Sequence, residues 1–414
     1  MNKKFLLIIM SIFYIGLNAQ TITNYTALDG LISDFVECVA IDVNDNVWFG
    51  TSAGVQMFDG TIWTNYNTSS HPTIPSDNIK VISAMSNGDI WIGTDFGASR
   101  FDGVDWTTYT TTTMQSIALI SNQVKSIDED PNTGIVWIGT ILGVTPVDLS
   151  GATNSLSIGA PDLHWSGVNA TSFDSNGDIW FASPLGGITH YDGTSFTSFD
   201  TSNGLLSQYA TDLIVDDQDN KWVGTASGMS VLDASNTNFT QHTRMYIMPP
   251  PDTLNPVVDI AIDSWGRVWN SIYVGYLSEG GVAYWNGSIW NDFHESDGLA
   301  GPNVKDLAID SEDNVWLATT TGVSKISAIP SLLDEKSNLG VSIFPNFSND
   351  LIYLNAEGQT IQQVRLYNNL GSLIYTNNKS QREYSIPVAS LAAGLYFVNI
   401  HFPKTKISKK IIVK

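Results

Sequence analysis

One phrase recurs seven times, and its period restricts the fold more than any other property of the chain. The copies are Asn46-Val47-Trp48-Phe49-Gly50-Thr51, Asp89-Ile90-Trp91-Ile92-Gly93-Thr94, Ile135-Val136-Trp137-Ile138-Gly139-Thr140, Asp178-Ile179-Trp180-Phe181-Ala182-Ser183, Asn220-Lys221-Trp222-Val223-Gly224-Thr225, Arg267-Val268-Trp269-Asn270-Ser271 and Asn314-Val315-Trp316-Leu317-Ala318-Thr319. Their Trp residues lie 43, 46, 43, 42, 47 and 47 residues apart. That spacing is the length of one four-stranded propeller blade.

Each unit parses into four short strands. In the first, Val36 to Ile41 alternates, Asn44-Asp45-Asn46 turns, the Trp48 strand follows, and Ser52-Ala53-Gly54 turns again into Val55 to Phe58. Asp59-Gly60 then reads as a hairpin turn needing positive φ, and Ile62 to Tyr66 ends the unit. Asp102-Gly103, Asp192-Gly193 and Asn286-Gly287 repeat that turn, with Trp63, Trp106, Phe196 or Trp290 three residues on. The seventh unit, Asn303 to Ile326, supplies only three strands. Ile22-Thr23-Asn24-Tyr25-Thr26 copies Trp63-Thr64-Asn65-Tyr66-Asn67, so the N-terminal segment is expected to close the ring and remove its exposed edges. The body shows no helical periodicity. The fold class is therefore all-β, a seven-bladed β-propeller over 20–326 closed by the strand 22–26.

An Asn or Asp, a short turn, and then Ile/Val-Trp-Ile/Phe-Gly-Thr-x-x-Gly-Val resembles the two-component regulator propeller repeat. The resemblance covers about residues 22–326 and implies an extracellular propeller of the kind that binds carbohydrate. The chain departs from that family in carrying no membrane span, kinase or response-regulator segment, so the signalling role is not expected to carry over.

The two ends carry addresses. Lys3 and Lys4 precede the apolar run Phe5 to Leu17, and Leu17-Asn18-Ala19 ends in a small residue, the pattern of a cleaved secretory signal over 1–19. No later stretch approaches 18 continuous apolar residues, so no transmembrane helix is expected. Beyond Ile326, residues 327–337 read as a linker. Short strands follow at Val341–Phe344, Leu351–Leu354, Ile361–Tyr367, Leu373–Thr376, Glu383–Pro387, Tyr396–Phe402 and Ile407–Val413, which suggests a small Ig-like β-sandwich over 338–414. This segment resembles a type IX secretion sorting domain, type A. The matching residues are Phe344-Pro345-Asn346, Leu366-Tyr367-Asn368-Asn369-Leu370-Gly371, Leu391-Ala392-Ala393-Gly394-Leu395-Tyr396-Phe397 and Lys409-Lys410. Phe347 stands where that family usually has a second Pro. The resemblance implies passage through the periplasm, engagement of the type IX machinery, removal of the tail, and release or attachment at the cell surface.

Charge separates the parts. Residues 21–330 carry 8 Lys and Arg against 36 Asp and Glu, a net of −28, whereas 331–414 carry 9 against 5, a net of +4. So acidic a body excludes nucleic acid as a partner, since phosphate binding needs clustered cations. Cys38 is the single cysteine, which rules out an intramolecular disulfide. The chain is expected to be a monomer without a cofactor.

No catalytic residue can be assigned. His71, His164, His190, His242, His294 and His401 hold no common place in the repeat, and neither His-Glu-x-x-His nor Gly-x-Ser-x-Gly occurs. The acidic turns at Asp42, Asp174 and Asp310 look like calcium loops but lack the later Glu, and they are expected to be hairpins. The seven repeat Trp residues are expected to fill the gaps between blades. Only Trp165 and Trp265 fall outside a repeated slot, Trp265 among the acidic turns and Trp165 on the opposite face. That opposite face gathers the loops entering each first strand and those after the Gly-Thr phrase. There Phe35, Asp95, Phe96, Trp165, Tyr209 and Tyr273 combine aromatic rings with carboxylates, a pairing that suits a sugar. Asp212, Asp259 and Asp306, each ten residues before its Trp, open the last three inner strands. They suit a cation or sugar hydroxyls, or equally backbone N–H groups of a neighbouring blade. The expected function is a non-catalytic propeller binding an extracellular glycan or similar polymer. A propeller lyase or glycosidase, and an adhesive surface protein, are the alternatives.

Overall fold

A computed structural model describes residues 21–112, 118–150, 157–159, 162–163, 167–243, 256–273, 280–327, 341–344, 347–348, 351–356, 360–368, 373–389, 391–392, 394–403 and 406–413. The expected signal segment, most of the linker, and the loop carrying His164 and Trp165 lie outside these residues. The chain divides into a unit spanning Ile22–Ala328 and a second unit containing Ile329–Lys414.

The first unit is a ring of seven antiparallel sheets. Blades 1, 2, 4, 5 and 6 run over Val36–Tyr66, Val81–Tyr109, Ala170–Phe199, Ala210–His242 and Val257–Phe293, each with four strands in sequence order. Blade 3, Val124–Val147, has three, and its outer position holds one bridge between Val144 and Ile158. The four-strand parse thus fails there among the described residues. Blade 7 is Val304–Ile326 with Ile22–Tyr25 as its outer strand, Ile22 opposite Ile326 and Tyr25 opposite Val323. Two single 3₁₀ turns, Ala27–Asp29 and Glu295–Asp297, are the only helical elements among the described residues.

Closure rests on packing as well as pairing. The Tyr25 ring stacks on Trp316 of blade 7 at 5.6 Å and meets Phe58 and Trp63 of blade 1 at 5.5 and 6.0 Å. Asn24 donates to the Gly298 carbonyl and accepts from the Ser324 hydroxyl. One short strand therefore spans the joint between the first and last blades.

The repeated phrase has a local mechanism. Its Thr hydroxyl donates to the carbonyl of the Gly three residues on, at 2.8–2.9 Å in blades 1, 2, 3, 5 and 7. That Gly has φ between 117° and 140° in those blades, which is why no side chain stands there. The Trp residues are all buried, and each such ring contributes about 2–3 kcal/mol of burial. In five blades an Asp six residues earlier (Asp42, Asp174, Asp216, Asp263, Asp310) accepts the indole Nε1–H at 2.8–3.1 Å. The same carboxylates accept two N–H groups of their own turn, Asn44 and Asn46 in the first case. The calcium-like turns are hairpins whose oxygens are already occupied. Blade 2 has Met85 at that position, and the turn of blade 3 is one residue longer. Trp91 and Trp137 accordingly leave Nε1 without a partner, which costs about 1–3 kcal/mol for each buried donor.

At this turn face a second device joins neighbouring blades. A Ser offers both its N–H and its hydroxyl to one carboxylate of the next turn. The pairs are Ser86 with Glu129, Ser175 with Asp219, Ser264 with Asp313 and Ser311 with Asp45, at 2.5–2.9 Å. Asp45, Asp219 and Asp313 adopt φ near +60°, a conformation Asp tolerates better than most residues. In blades 2, 4 and 6 the left-handed turn position belongs to Gly88, Gly177 and Gly266 instead, and no carboxylate is available there.

In the second unit a three-stranded and a five-stranded sheet enclose a core of Ile352, Leu354, Val364, Leu366, Tyr384, Ile386, Val398, Ile400 and Ile411. Strict alternation in Leu351–Ala356 and Glu383–Pro387 puts every second side chain inside. Phe347–Ser348, unread in the sequence, pairs in parallel with Ile412 and Val413.

Candidate functional site

The first strand of every blade packs against the first strands of its neighbours, so these strands form the inner ring around the axis. In blades 1, 3, 5, 6 and 7 the strand carries a bulge near its start, between Val36 and Cys38, Val124 and Ser126, Ala210 and Asp212, Val257 and Asp259, and Val304 and Asp306. A bulge aims its extra residue out of the ladder. The extra residues are Glu37, Lys125, Thr211, Val258 and Lys305. Lys80 and Asn169 take the same register in blades 2 and 4.

Directly below this rim lie the acidic residues. Asp212, Asp259 and Asp306 are the third residues of their strands rather than the first. Each points its Oδ2 across a blade boundary, where it accepts the N–H of Ile260, Leu307 or Val39 at 2.7–2.8 Å. Asp128 of blade 3 does the same for Thr171 at 3.1 Å. All four are partly buried. Burial pushes Asp128 up to about 7 and Asp306 up to about 6, and raises Asp212 and Asp259 well above the carboxylate range. Asp259 and Asp306 are close enough to influence each other, and the neighbouring Asp306 carboxylate adds to the upward push on Asp259. The inner ring is thus lined with carboxyl groups that hold their protons more tightly than ordinary carboxylates and are engaged with backbone.

The rim itself is charged and aromatic. Lys305 Nζ lies 2.5 Å from Glu37 Oε2, and Lys80 Nζ lies 3.5 Å from Glu37 Oε1, so one carboxylate joins blades 7, 1 and 2. Lys305 also stands 4.9 Å from the Phe35 ring and 5.4 Å from the Tyr273 ring, which brings those two expected residues around one cation. Phe35, Phe96 and Tyr209 are 42%, 64% and 46% exposed. Asp95 follows Thr94 in the same loop as Phe96. Trp165 lies outside the described residues. Sequence reading missed the lysine rim, although Lys80 and Lys305 both stand eleven residues before their Trp.

One further group could hold a metal ion by its residue types, Asp174, Asp178 and His190. His190 Nε2 is already 2.8 Å from Asp178, and its ring stacks on Trp180 at 4.4 Å. Lys221 Nζ stands 4.7 Å from the same indole, where the Asp174 and Asp178 carboxylates favour its charge.

The geometry can be set beside known proteins. The extracellular domain of a hybrid two-component system from B. thetaiotaomicron superposes with a TM-score of 0.61 at 18% identity, covering 95% of this chain and 57% of that one. PorZ, a surface component of the type IX secretion system of Porphyromonas gingivalis, gives 0.56 at 17% identity, covering 94% and 61%. The chain therefore spans about three-fifths of the length of these two. Virginiamycin B lyase from Staphylococcus aureus gives 0.59 at 13%, covering 75% and 99%. These similarities establish a shared β-propeller fold. No curated protein matches in sequence. Fold and tail together define an exported β-propeller protein. Its residues 342–414 belong to the secretion system C-terminal sorting domain family, the type IX tail that directs a chain to the cell surface or the medium. Among the described residues no helix is long and apolar enough to cross a membrane.

Proposed function

We propose that the propeller is a non-catalytic module that binds an extracellular glycan at the rim face, delivered through the periplasm by its signal and sorting domain. One observation carries this reading. Among the described residues of the ring, the exposed large aromatic side chains are Phe35, Phe96 and Tyr209, and all three belong to the rim face. The exposed large apolar residues of the opposite face, Val43, Ile62, Val104, Leu149 and Ile289, are aliphatic. Flat rings beside Asp95 and the rim polar groups match the alternating CH and hydroxyl surfaces of a sugar.

Affinity electrophoresis of the purified chain through gels containing a panel of polysaccharides tests the reading. Retardation by at least one glycan is expected, and Phe96→Ala should weaken it about tenfold, the scale of one stacking ring. Trp265→Ala on the turn face is the matched control and should leave it unchanged. Migration unaffected by every glycan would overturn the proposal, and cleavage of any of them would favour the lyase or glycosidase alternative.

A further inference from the structure

Cations are scarce in the body, so their placement is informative. Of the 8 Lys and Arg in residues 21–330, Arg244 lies outside the described residues. Four belong to the turn end of the blades. Arg100 pairs with Asp89, Arg267 with Asp263 and Lys325 with Asp310, while Lys221 donates to Asn236 against the Trp180 ring. The remaining three, Lys80, Lys125 and Lys305, all stand at the one bulge register of the inner strands. With Glu37 they occupy consecutive blades 7, 1, 2 and 3, a continuous arc of the rim. Glu37 serves both Lys80 and Lys305, so it neutralises one charge of two. Lys125 is exposed and has no ion-pair partner among the described residues. Counting the four side chains of that register alone, two positive charges are left over, although the body as a whole carries −28.

We propose that the rim of blades 7, 1, 2 and 3 is a subsite for an anionic sugar, the acid group seated among Lys80, Lys125 and Lys305 and the sugar ring against Phe35 or Phe96. This rests on the glycan-binding reading and specifies its ligand. A chain of net charge −22 repels polyanions at long range, so an anionic glycan can bind only where cations are concentrated locally. The aromatic rings beside the lysines favour a sugar over a simple anion. Lys305 is already held by Phe35, Tyr273 and Glu37, which positions its ammonium before any ligand arrives. Lys125, free of such partners, is the residue whose charge a ligand meets uncompensated.

The test uses the whole purified chain in gels containing polygalacturonate, alginate, chondroitin sulfate, or the neutral glycans laminarin and xylan. A gel without polysaccharide corrects for the charge change of each variant. Retardation by an acidic glycan is expected, falling about five- to tenfold in Lys125→Gln and abolished by about 0.5 M salt, on the order of one ion pair screened at short range. Polyuronates and the sulfated glycan separate carboxylate from sulfate as the acid group. Lys325→Gln, at the turn end, should bind as the unmodified chain does. Binding of neutral glycans alone, or acidic binding equally strong in Lys125→Gln, would overturn this inference and leave the module reading standing. Binding of none would overturn both.

Discussion

Asp128 offers the sharpest test of the buried carboxyl ring. It accepts the Thr171 N–H across the boundary between blades 3 and 4, and burial raises it to about 7, with Asp212 adding a like charge. In the unfolded chain the group titrates near 3.9. The folded state therefore binds a proton more tightly. Its contribution is fully favourable below about pH 4, is lost as pH rises towards 7, and stays lost above that. A carboxyl group that titrates near 7 when folded and near 3.9 when unfolded corresponds to a ceiling of about 4 kcal/mol. The partial exposure of Asp128 brings the working figure to about 2 kcal/mol. Asp128→Asn keeps an oxygen for Thr171 and removes the ionisation. Urea denaturation of the variant and the unmodified chain at several pH values between about 4.5 and 8 should show the variant gaining relative stability as pH rises, levelling off near 7. The difference between the two chains isolates this site from the other acidic groups. A difference independent of pH would refute the reasoning, and one that grew on acidification would reverse its sign.

Tyr25→Ala should lower stability by about 2–3 kcal/mol, because a half-buried ring in contact with three aromatic partners is lost from the ring closure. An unchanged denaturation midpoint would mean that the terminal strand adds nothing to the joint. Export depends on the tail, so truncation after Ile326 should leave a folded propeller inside the cell envelope. Mass spectrometry of the extracellular form should then find no peptide from 341–414, and an intact tail on that form would refute its removal.

What the sequence disclosed followed from repetition. Seven Trp residues in one register, with Gly or Asp-Gly at fixed offsets, made the blades and the borrowed strand Ile22–Tyr25 readable, because each copy vouched for the others. Blade 3 shows three strands among the described residues, and its segment after Val147 carries no Asp-Gly turn by which a fourth could be read. The rim escaped notice for the opposite reason. Its register carries Glu37, Lys80, Lys125, Asn169, Thr211, Val258 and Lys305, residues of no common type, so the position is set by the backbone bulge and not by chemistry. For Asp212, Asp259 and Asp306 the regular spacing was visible, but their partners Ile260, Leu307 and Val39 lie 48, 48 and 267 positions away along the chain. Only the closed ring brings them together.

The alternation of Asp and Gly at the turn position divides the ring unequally. Ser–carboxylate pairs cross the boundaries 2/3, 4/5, 6/7 and 7/1. Of the three boundaries without one, 3/4 and 5/6 are spanned inside by Asp128 and Asp212. The boundary between blades 1 and 2 has neither. It is held near the rim by the Glu37–Lys80 pair and by the backbone bonds from Ile79 to Thr51 and from Gly54 to Asp77, with apolar packing below. The point where the chain ends meet, by contrast, has a shared strand, the Ser311–Asp45 pair and the Asp306–Val39 bond together. The joint one blade past the closure therefore relies on apolar and aromatic packing where the other joints use a turn or inner carboxylate, and the rings of Trp48, Tyr66, Phe101 and Trp106 meet across it.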